Sequence, residues 1–264
     1  MDEPLKSTIG NFLKDYGTLL LAIYGVVQLW FWEFFKLLFR QPRVELYTAN
    51  VAEIGYSNFG PTLGLYGTLR AVHSDIFISD INLTVTRLRD NAQHRFLWLA
   101  FRPNQFVLGS TGATSFELPS GFIITQIQPH RYNIIFSDNH RHTEMFPSIR
   151  IAETLWADHV GRASSVNPRP DLAVLYDQFV RSTPREIVDF HRTIQRLCYW
   201  DEGEYSIQAE VRTANPNKQF SFNRRFSLSS EDAERLRRNT FSILAEVCRQ
   251  QNNLFNFSYP ALRT

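Results

Sequence analysis

The feature that most constrains this chain is a run of 17 uncharged residues, Tyr16–Trp32, close to its start. As a helix that rises about 1.5 Å per residue, the run spans roughly 25 Å, and apolar neighbours extend it on both sides. Pro42 ends any helix that continues downstream. The run therefore predicts one transmembrane helix over residues 16–39, preceded by an N-terminal tail over residues 1–15.

The ends of the run carry residue types that favour the membrane–water interface. Tyr16 lies at one end, Trp30 and Trp32 lie at the other, and the long side chain of Lys36 can extend its ammonium group toward lipid headgroups. These four residues are predicted to contact the two surfaces of a lipid bilayer. Three basic residues follow the run closely and two precede it, which favours a single-pass protein with a cytoplasmic C-terminal domain.

One side of the predicted helix carries small residues that would let two helices approach each other closely. Thr18, Ala22 and Gly25 are spaced four and three residues apart, and the amide of Gln28 lies beside them. An amide in this place can form a hydrogen bond across the interface. The pattern predicts a homo-oligomer that forms through these four residues.

The uncharged run has other interpretations. A soluble subunit could bury the same helix against a partner chain in a complex, although buried helices are usually shorter. A cleaved signal peptide is disfavoured, because the first six residues include two acids and no small-residue cleavage site follows the run. An interfacial helix is disfavoured as well, because the run has almost no polar face.

From Val44 onward the sequence alternates between apolar and polar residues, as half-buried strands do. In one example, Ile81, Leu83 and Val85 share one face of a predicted strand. Predicted strands fall within residues 62–88, 95–101, 121–127, 131–136 and 205–228. Their spacing of about ten residues predicts an antiparallel sandwich or a closed barrel.

Helical spacing interrupts this pattern twice within the strand-rich domain, which is predicted to cover residues 43–264. Apolar residues three or four positions apart predict a helical insertion at about 144–200. Ser229 and Asp232 form a capping-box pattern, which predicts a C-terminal helix at about 231–249. The fold class is therefore α+β.

The segment DEGEY, residues 201–205, resembles the tyrosine-corner stretch of immunoglobulin-like sandwiches. The resemblance implies that the Tyr205 hydroxyl group bonds to backbone a few residues upstream. It also favours an Ig-like β-sandwich over a closed barrel. The chain departs from the pattern at Ile207, where disulfide-bearing immunoglobulin domains have cysteine.

Composition and motifs exclude several classes of function. With 28 basic and 26 acidic residues the net charge is +2, so no nucleic-acid partner is expected. The runs RLRD (87–90) and RLRRN (235–239) are interpreted as ordinary charged surface. The two cysteines, Cys198 and Cys248, fall in predicted helices and are expected to be buried thiols, although they could pair if the domain were exported. Phosphate-binding, nucleophile-elbow and zincin motifs are missing from the sequence, so neither a cofactor nor an enzyme is predicted.

One polar cluster is a candidate metal site. His140 and His142 would share a face if their segment were a strand, Asp138 precedes them, and His130 could join them across a hairpin. The alternative is a solvated loop, because the sequence Ser-Asp-Asn is typical of turns.

These observations predict a single-pass, membrane-anchored binding module, such as an oligomerising sensor or effector at the membrane. Its expected partners are the lipid bilayer, further copies of itself, and an unknown protein or small ligand. Two alternatives remain: a membrane-tethered metal-dependent hydrolase, and a soluble subunit whose N-terminal helix is buried in a complex.

Overall fold

The computed structural model describes residues 17, 21, 23–35, 41–102, 117–166, 169–250 and 254–263. The chain divides into two compact units, Met1–Arg43 and Val44–Thr264. In the first unit, residues 23–35 are helical. Apart from Arg43, with which the first strand begins, the described strands and the remaining described helices lie in the second unit.

None of the described helices combines the length and the apolar character needed to cross a bilayer. The continuous helical stretch 23–35 extends about 20 Å at about 1.5 Å per residue, and it includes the charged Glu33. A hydrocarbon core is about 30 Å thick. The predicted transmembrane helix, the single-pass membrane location and the cytoplasmic placement of the C-terminal domain are therefore wrong.

The second unit is built on one eight-stranded sheet. Its strands are β1 (Arg43–Ser57), β2 (Gly60–Val72), β3 (Ile76–Arg87), β4 (Ala92–Phe101), β5 (Phe122–Ile124), β6 (His130–Ser137), β7 (Gly203–Asn215) and β8 (Asn217–Leu228). The spatial order is β1-β2-β6-β4-β3-β7-β8, and the short β5 pairs with one end of β3. The pairings from β2 through to β8 are antiparallel.

The C-terminal segment connects the two edge strands of this sheet. The Ile54 N–H of β1 donates to the Ser258 carbonyl oxygen at 2.8 Å, and Arg225 of β8 exchanges two backbone hydrogen bonds of 2.8 Å with Arg263. Between the edges, the Arg224 guanidinium donates to the Thr48 hydroxyl at 3.3 Å. The sheet therefore curls until it nearly closes, and both exposed edges are partly covered.

This single sheet shows that the predicted Ig-like sandwich is wrong. Pairing of β4 with β6 joins β1-β2-β6 to β4-β3-β7-β8, so the strands do not separate into two facing sheets. Helices provide the second layer instead: α1 (Asn139–Val166), α2 (Leu172–Ser182), α3 (Pro184–Leu197), α4 (Ser230–Arg237) and α5 (Asn239–Val247). Helix α1 packs on β2, α2, α3 and α5.

The contact that the tyrosine-corner resemblance implies is nevertheless present. The Tyr205 hydroxyl group donates to the Asp201 carbonyl oxygen and accepts from the Asp201 N–H, both at 2.8 Å. Its ring stacks on Phe226 at 5.0 Å, next to the fully buried Trp200, whose Nε1–H donates to the Gly55 carbonyl oxygen. This local hydrogen bond is therefore compatible with a sheet that is not an immunoglobulin sandwich.

Candidate functional site

The helical residues 23–35 expose an unusual density of large apolar side chains. Leu29 is 69% exposed, Trp30 is 68% exposed and Val26 is 67% exposed. Other large apolar side chains of the same stretch that are at least 40% exposed are Ile23, Tyr24, Val27, Phe31, Trp32, Phe34 and Phe35. Contiguous exposed apolar surface on this scale marks an interaction site in folded proteins.

These apolar residues surround the helix instead of forming one stripe. Ile23, Val27, Trp30 and Phe34, spaced four, three and four, share one face, and the Trp30 and Phe34 rings stack at 5.9 Å. Leu29 and Val26 project from other sides. A helix that is apolar all round is normally buried on several sides.

Two of the four residues through which helices are predicted to associate lie on this helix. Gly25 and Gln28 are helical, on the side away from the Trp30 face, and a Cβ atom added at Gly25 would have nothing within 4 Å. Thr18 and Ala22 lie outside the described residues. Association through these residues stays a prediction.

Two of the four residues predicted to contact a bilayer surface are described. Trp30 and Trp32 are helical and exposed by 68% and 63%. Tyr16 and Lys36 lie outside the described residues.

The four predicted metal-ligating residues are distributed over different environments. His130 lies at the start of β6, where its ring stacks on Phe122 at 4.4 Å and burial lowers its pKa. Asp138 follows the other end of the same strand, about 26 Å away at about 3.3 Å per residue. His140 pairs with Glu144 at 3.4 Å on the surface, and His142 contacts the Phe59 ring.

Over the residues that the structure describes, no group of three or more His, Cys, Asp or Glu residues is arranged to hold a metal ion. Residues 139–142 form the first turn of α1, and Asp138 directly precedes it, so the segment is not a strand. The Asp138 carboxylate accepts from the backbone N–H groups of His140 and Arg141 at 3.1 and 3.2 Å, as a helix N-cap does. The alternation of His140 and His142 therefore does not create a shared face.

Asp138 also forms a buried pair with His94 of β4. Their Oδ2 and Nδ1 atoms are 2.8 Å apart, and the side chains are 2% and 12% exposed. Burial raises the pKa of Asp138, but the hydrogen bonds from His94 and from the Arg141 N–H outweigh burial, so the net pKa lies below its ordinary value. The centroid of the His94 ring lies 3.7 Å from that of Tyr199. His94 and Asp138 therefore connect β4 with the start of α1 and with the segment after α3.

The two arginine runs meet at the carboxylate of Asp201, a contact that no sequence pattern indicates. Asp201 accepts from Arg87, from Arg89 at 2.6 Å and from Arg237 of α4. Arg87 also pairs with Asp90 at 2.7 Å. Because β3 and α4 are far apart in sequence, only the folded sheet places these residues together. The described contacts give this cluster a structural role.

A third polar cluster lies within the sheet. Arg102 donates to both carboxylate oxygens of the buried Glu53 at 2.8 and 2.9 Å and to the Tyr66 hydroxyl at 3.1 Å. Tyr66 in turn donates to Glu53. Every charged partner is satisfied, so this network fixes the end of β4 against β1 and β2 and offers no reactive group.

Both cysteines are free thiols buried in the second unit, and burial raises the pKa of each to about 12. A thiol with so high a pKa is a poor nucleophile at neutral pH.

Comparisons of the chain with protein-family models, with curated proteins and with solved structures find no match. The exposed helix and the chemistry of the second unit are therefore the features that indicate a function.

Proposed function

We propose that this protein is a binding module that acts as a subunit of a protein complex. In that complex, the apolar helix at residues 23–35 is buried against the same helix of other copies of the chain. The observation that carries the proposal is the exposure of ten large apolar side chains within 13 residues, at positions 23, 24, 26, 27, 29, 30, 31, 32, 34 and 35. In water, such a surface strongly favours association.

The distribution of these side chains supports a bundle of copies. One flat partner surface would cover only one side of the helix and leave Val26 and Leu29 exposed when the Trp30 face is buried. Neighbouring copies offer the same apolar surface and can cover several sides at once. Gly25 supports close approach on the side away from Trp30, because a neighbouring helix meets no side chain there.

The free energy of burying these side chains also supports association. Complete burial of a large apolar side chain contributes about 1.5–3 kcal/mol, whereas association costs an estimated 4–15 kcal/mol. Burying one or two of these residues would therefore not hold a complex together. Burying most of the ten would suffice, which requires that the helix be covered along its whole described length.

The test is the mass of the full chain in detergent-free buffer, measured by light scattering after size exclusion. The wild type is expected at a multiple of 30.8 kDa. A Val27→Glu/Trp30→Glu variant places two charges in the apolar face and is expected to elute as a monomer with unchanged thermal unfolding.

The matched control is Leu118→Glu/Ile127→Glu, which adds the same charge at residues that are 84% and 95% exposed in the second unit. It should keep the wild-type mass. If the wild type is a monomer, or if both double variants dissociate equally, the proposal fails.

A further inference from the structure

Strand β8 ends the sheet, and its outer edge is paired at one point. Arg225 exchanges two backbone hydrogen bonds of 2.8 Å with Arg263 of the C-terminal segment. In the part of the chain that the structure describes, Arg263 is the only residue whose backbone pairs with this edge. The edge from Gln219 to Asn223 therefore presents backbone groups with which another strand can pair.

The alternation of hydrogen bonds along a strand determines which of these groups point outward. Because Arg225 bonds away from β7, the backbone N–H and C=O groups of Asn223, Ser221 and Gln219, at every second position before it, point the same way. The Asn223 carbonyl oxygen already accepts from the Arg224 guanidinium at 2.8 Å. Among the described residues, the outward groups of Ser221 and Gln219 have no hydrogen-bond partner.

The side chains of β8 leave this edge accessible. Edge strands are usually protected by proline, by charged side chains or by a bulge. From Asn217 to Asn223, β8 contains no proline, pairs regularly with β7, and carries only uncharged polar side chains on its exposed face. On the inner face, Phe220 and Phe222 pack against the core but are only partly buried. A strand added at this edge would place alternate side chains beside both rings.

A second copy of β8 fits this edge poorly. Two β8 strands paired antiparallel about Ser221 would place Lys218 of one copy opposite Arg224 of the other, and this would happen at both ends of the pair. Like charges directly opposite each other destabilise a strand pair. A strand with an acidic residue opposite Lys218 replaces this repulsion by attraction.

We propose that β8 binds an extended segment of another protein, which pairs antiparallel with β8 beyond the C-terminal segment. Its residues opposite Phe222 and Phe220 are apolar, and its residue opposite Lys218 is acidic. The residues between these are polar and exchange backbone hydrogen bonds with Ser221 and Gln219. In strand addition of this kind, main-chain hydrogen bonds provide affinity and alternate side chains provide specificity. This inference does not depend on the helix bundle, since it uses residues of the second unit alone.

The probe is the capped hexapeptide acetyl-Thr-Val-Thr-Val-Thr-Glu-amide, whose residues align in order with Asn223 to Lys218. A fluorescein-labelled form is titrated with the full-length protein, and the fluorescence anisotropy measures binding. Unlabelled peptides then compete with it. The hexapeptide is expected to bind in a saturable way. Replacing its Glu by Lys is expected to weaken binding about threefold, because like charges then meet at Lys218.

Two ester analogues of the peptide distinguish strand addition from apolar adhesion. The third residue lies opposite Ser221 and its N–H donates to β8, whereas the N–H of the fourth residue, opposite Phe220, points away from β8. An ester in place of the amide at the third residue removes one hydrogen bond and is expected to weaken binding at least about threefold. The same change at the fourth residue keeps the apolar side chains and the bonds to β8, so binding should not change.

Two variants of one residue connect the binding to the β8 edge. Ser221→Pro removes an outward N–H and leaves the hydrogen bonds to β7 intact, since proline is tolerated on the open side of an edge strand. It is expected to abolish peptide binding. Ser221→Ala keeps the backbone N–H and changes only an exposed side chain, so it should bind as the wild type does. Without peptide, both variants should have the wild-type mass.

The proposal is overturned if the hexapeptide does not bind, if the two esters bind equally, or if Ser221→Pro binds as tightly as Ser221→Ala. A lower mass for Ser221→Pro alone would identify a second copy as the occupant of the edge and would overturn the proposal as well. The ester comparison uses the wild-type protein, so it decides the matter even if Ser221→Pro does not fold. Failure of the helix bundle would instead appear as a monomeric wild type.

Discussion

Helix α3 and the helical residues 23–35 have similar lengths but bury their apolar residues in opposite ways. In α3, the buried residues Ile187, Phe190, Ile194 and Leu197 are spaced three or four apart and face the core, while Val188 on the other side is 52% exposed. In residues 23–35 the apolar residues surround the helix and are exposed. A helix that packs within its own chain needs one apolar face, whereas a helix apolar on every side requires partners from outside.

The largest effect should come from shortening a buried side chain of α3. Ile194 is fully buried, so Ile194→Ala is expected to lower the free energy of unfolding by about 2–5 kcal/mol. Val188→Ala on the exposed side of the same helix should change it by less than about 0.5 kcal/mol. Urea denaturation measures both, and equal losses would contradict the one-sided packing of α3.

The same truncation in residues 23–35 should act on assembly instead of unfolding. Trp30→Ala removes a ring that is 68% exposed in the single chain, so the unfolding of the second unit should not change. The dissociation constant of the complex should rise by at least about tenfold, since each copy loses apolar burial of about 1.5 kcal/mol or more. Sedimentation over a dilution series measures this constant. If Trp30→Ala left the dissociation constant unchanged and lowered the unfolding free energy of the second unit, residues 23–35 would pack within their own chain, as α3 does.

The next largest effect is expected at Asp138 and His94, the buried pair that joins α1 to β4. Asp138→Asn keeps the shape of the side chain but removes its charge from His94, and should cost about 1–3 kcal/mol at neutral pH. The pKa of Asp138 is lower in the folded state than its ordinary value of 3.8, so its charge stabilises the fold above that pH.

This stabilisation is lost as the pH falls from 3.8 through the folded pKa. The difference in unfolding free energy between wild type and Asp138→Asn should therefore shrink in acid, as urea titrations at several pH values would show. A difference that is constant with pH would mean that the charge of Asp138 contributes nothing.

The smallest effect concerns the cap of α4. The Ser229 hydroxyl accepts from the Asp232 N–H at 3.1 Å, and Asp232 accepts from the Ser229 N–H at 3.2 Å. Ser229→Ala should cost about 1 kcal/mol of unfolding free energy and leave the mass of the complex unchanged. Ser221→Ala, at an exposed position of β8, is the control that should cost nothing measurable. A change in mass would connect α4 to the assembly.

Features that depend on neighbouring residues could be predicted from the sequence. The capping box at Ser229 needs residues three positions apart and is confirmed. The alternation of Ile81, Leu83 and Val85 places all three in the core. The hydroxyl contact of Tyr205 spans only four residues.

Features that depend on distant residues could not be predicted. Alternation shows that a strand has one buried face, but it does not show that β4 pairs with β6, and this pairing makes one sheet out of the predicted sandwich. The residues around Asp138 have the composition of a turn, yet Asp138 begins a long helix because His94 and the N-terminal N–H groups of α1 share its carboxylate. Strand β8 lies at an edge of the sheet only because of the strand order, which its own alternation does not show.

Hydroxyl-radical footprinting of the assembled full chain tests most directly whether residues 23–35 are covered. Trp200 of the second unit is fully buried and serves as the protected reference, while Tyr259, at 59% exposure, serves as the accessible one. We expect that Trp30, although 68% exposed in the single chain, is oxidised as slowly as Trp200. Oxidation of Trp30 as fast as that of Tyr259 in the folded protein would contradict the burial of residues 23–35 between copies of the chain.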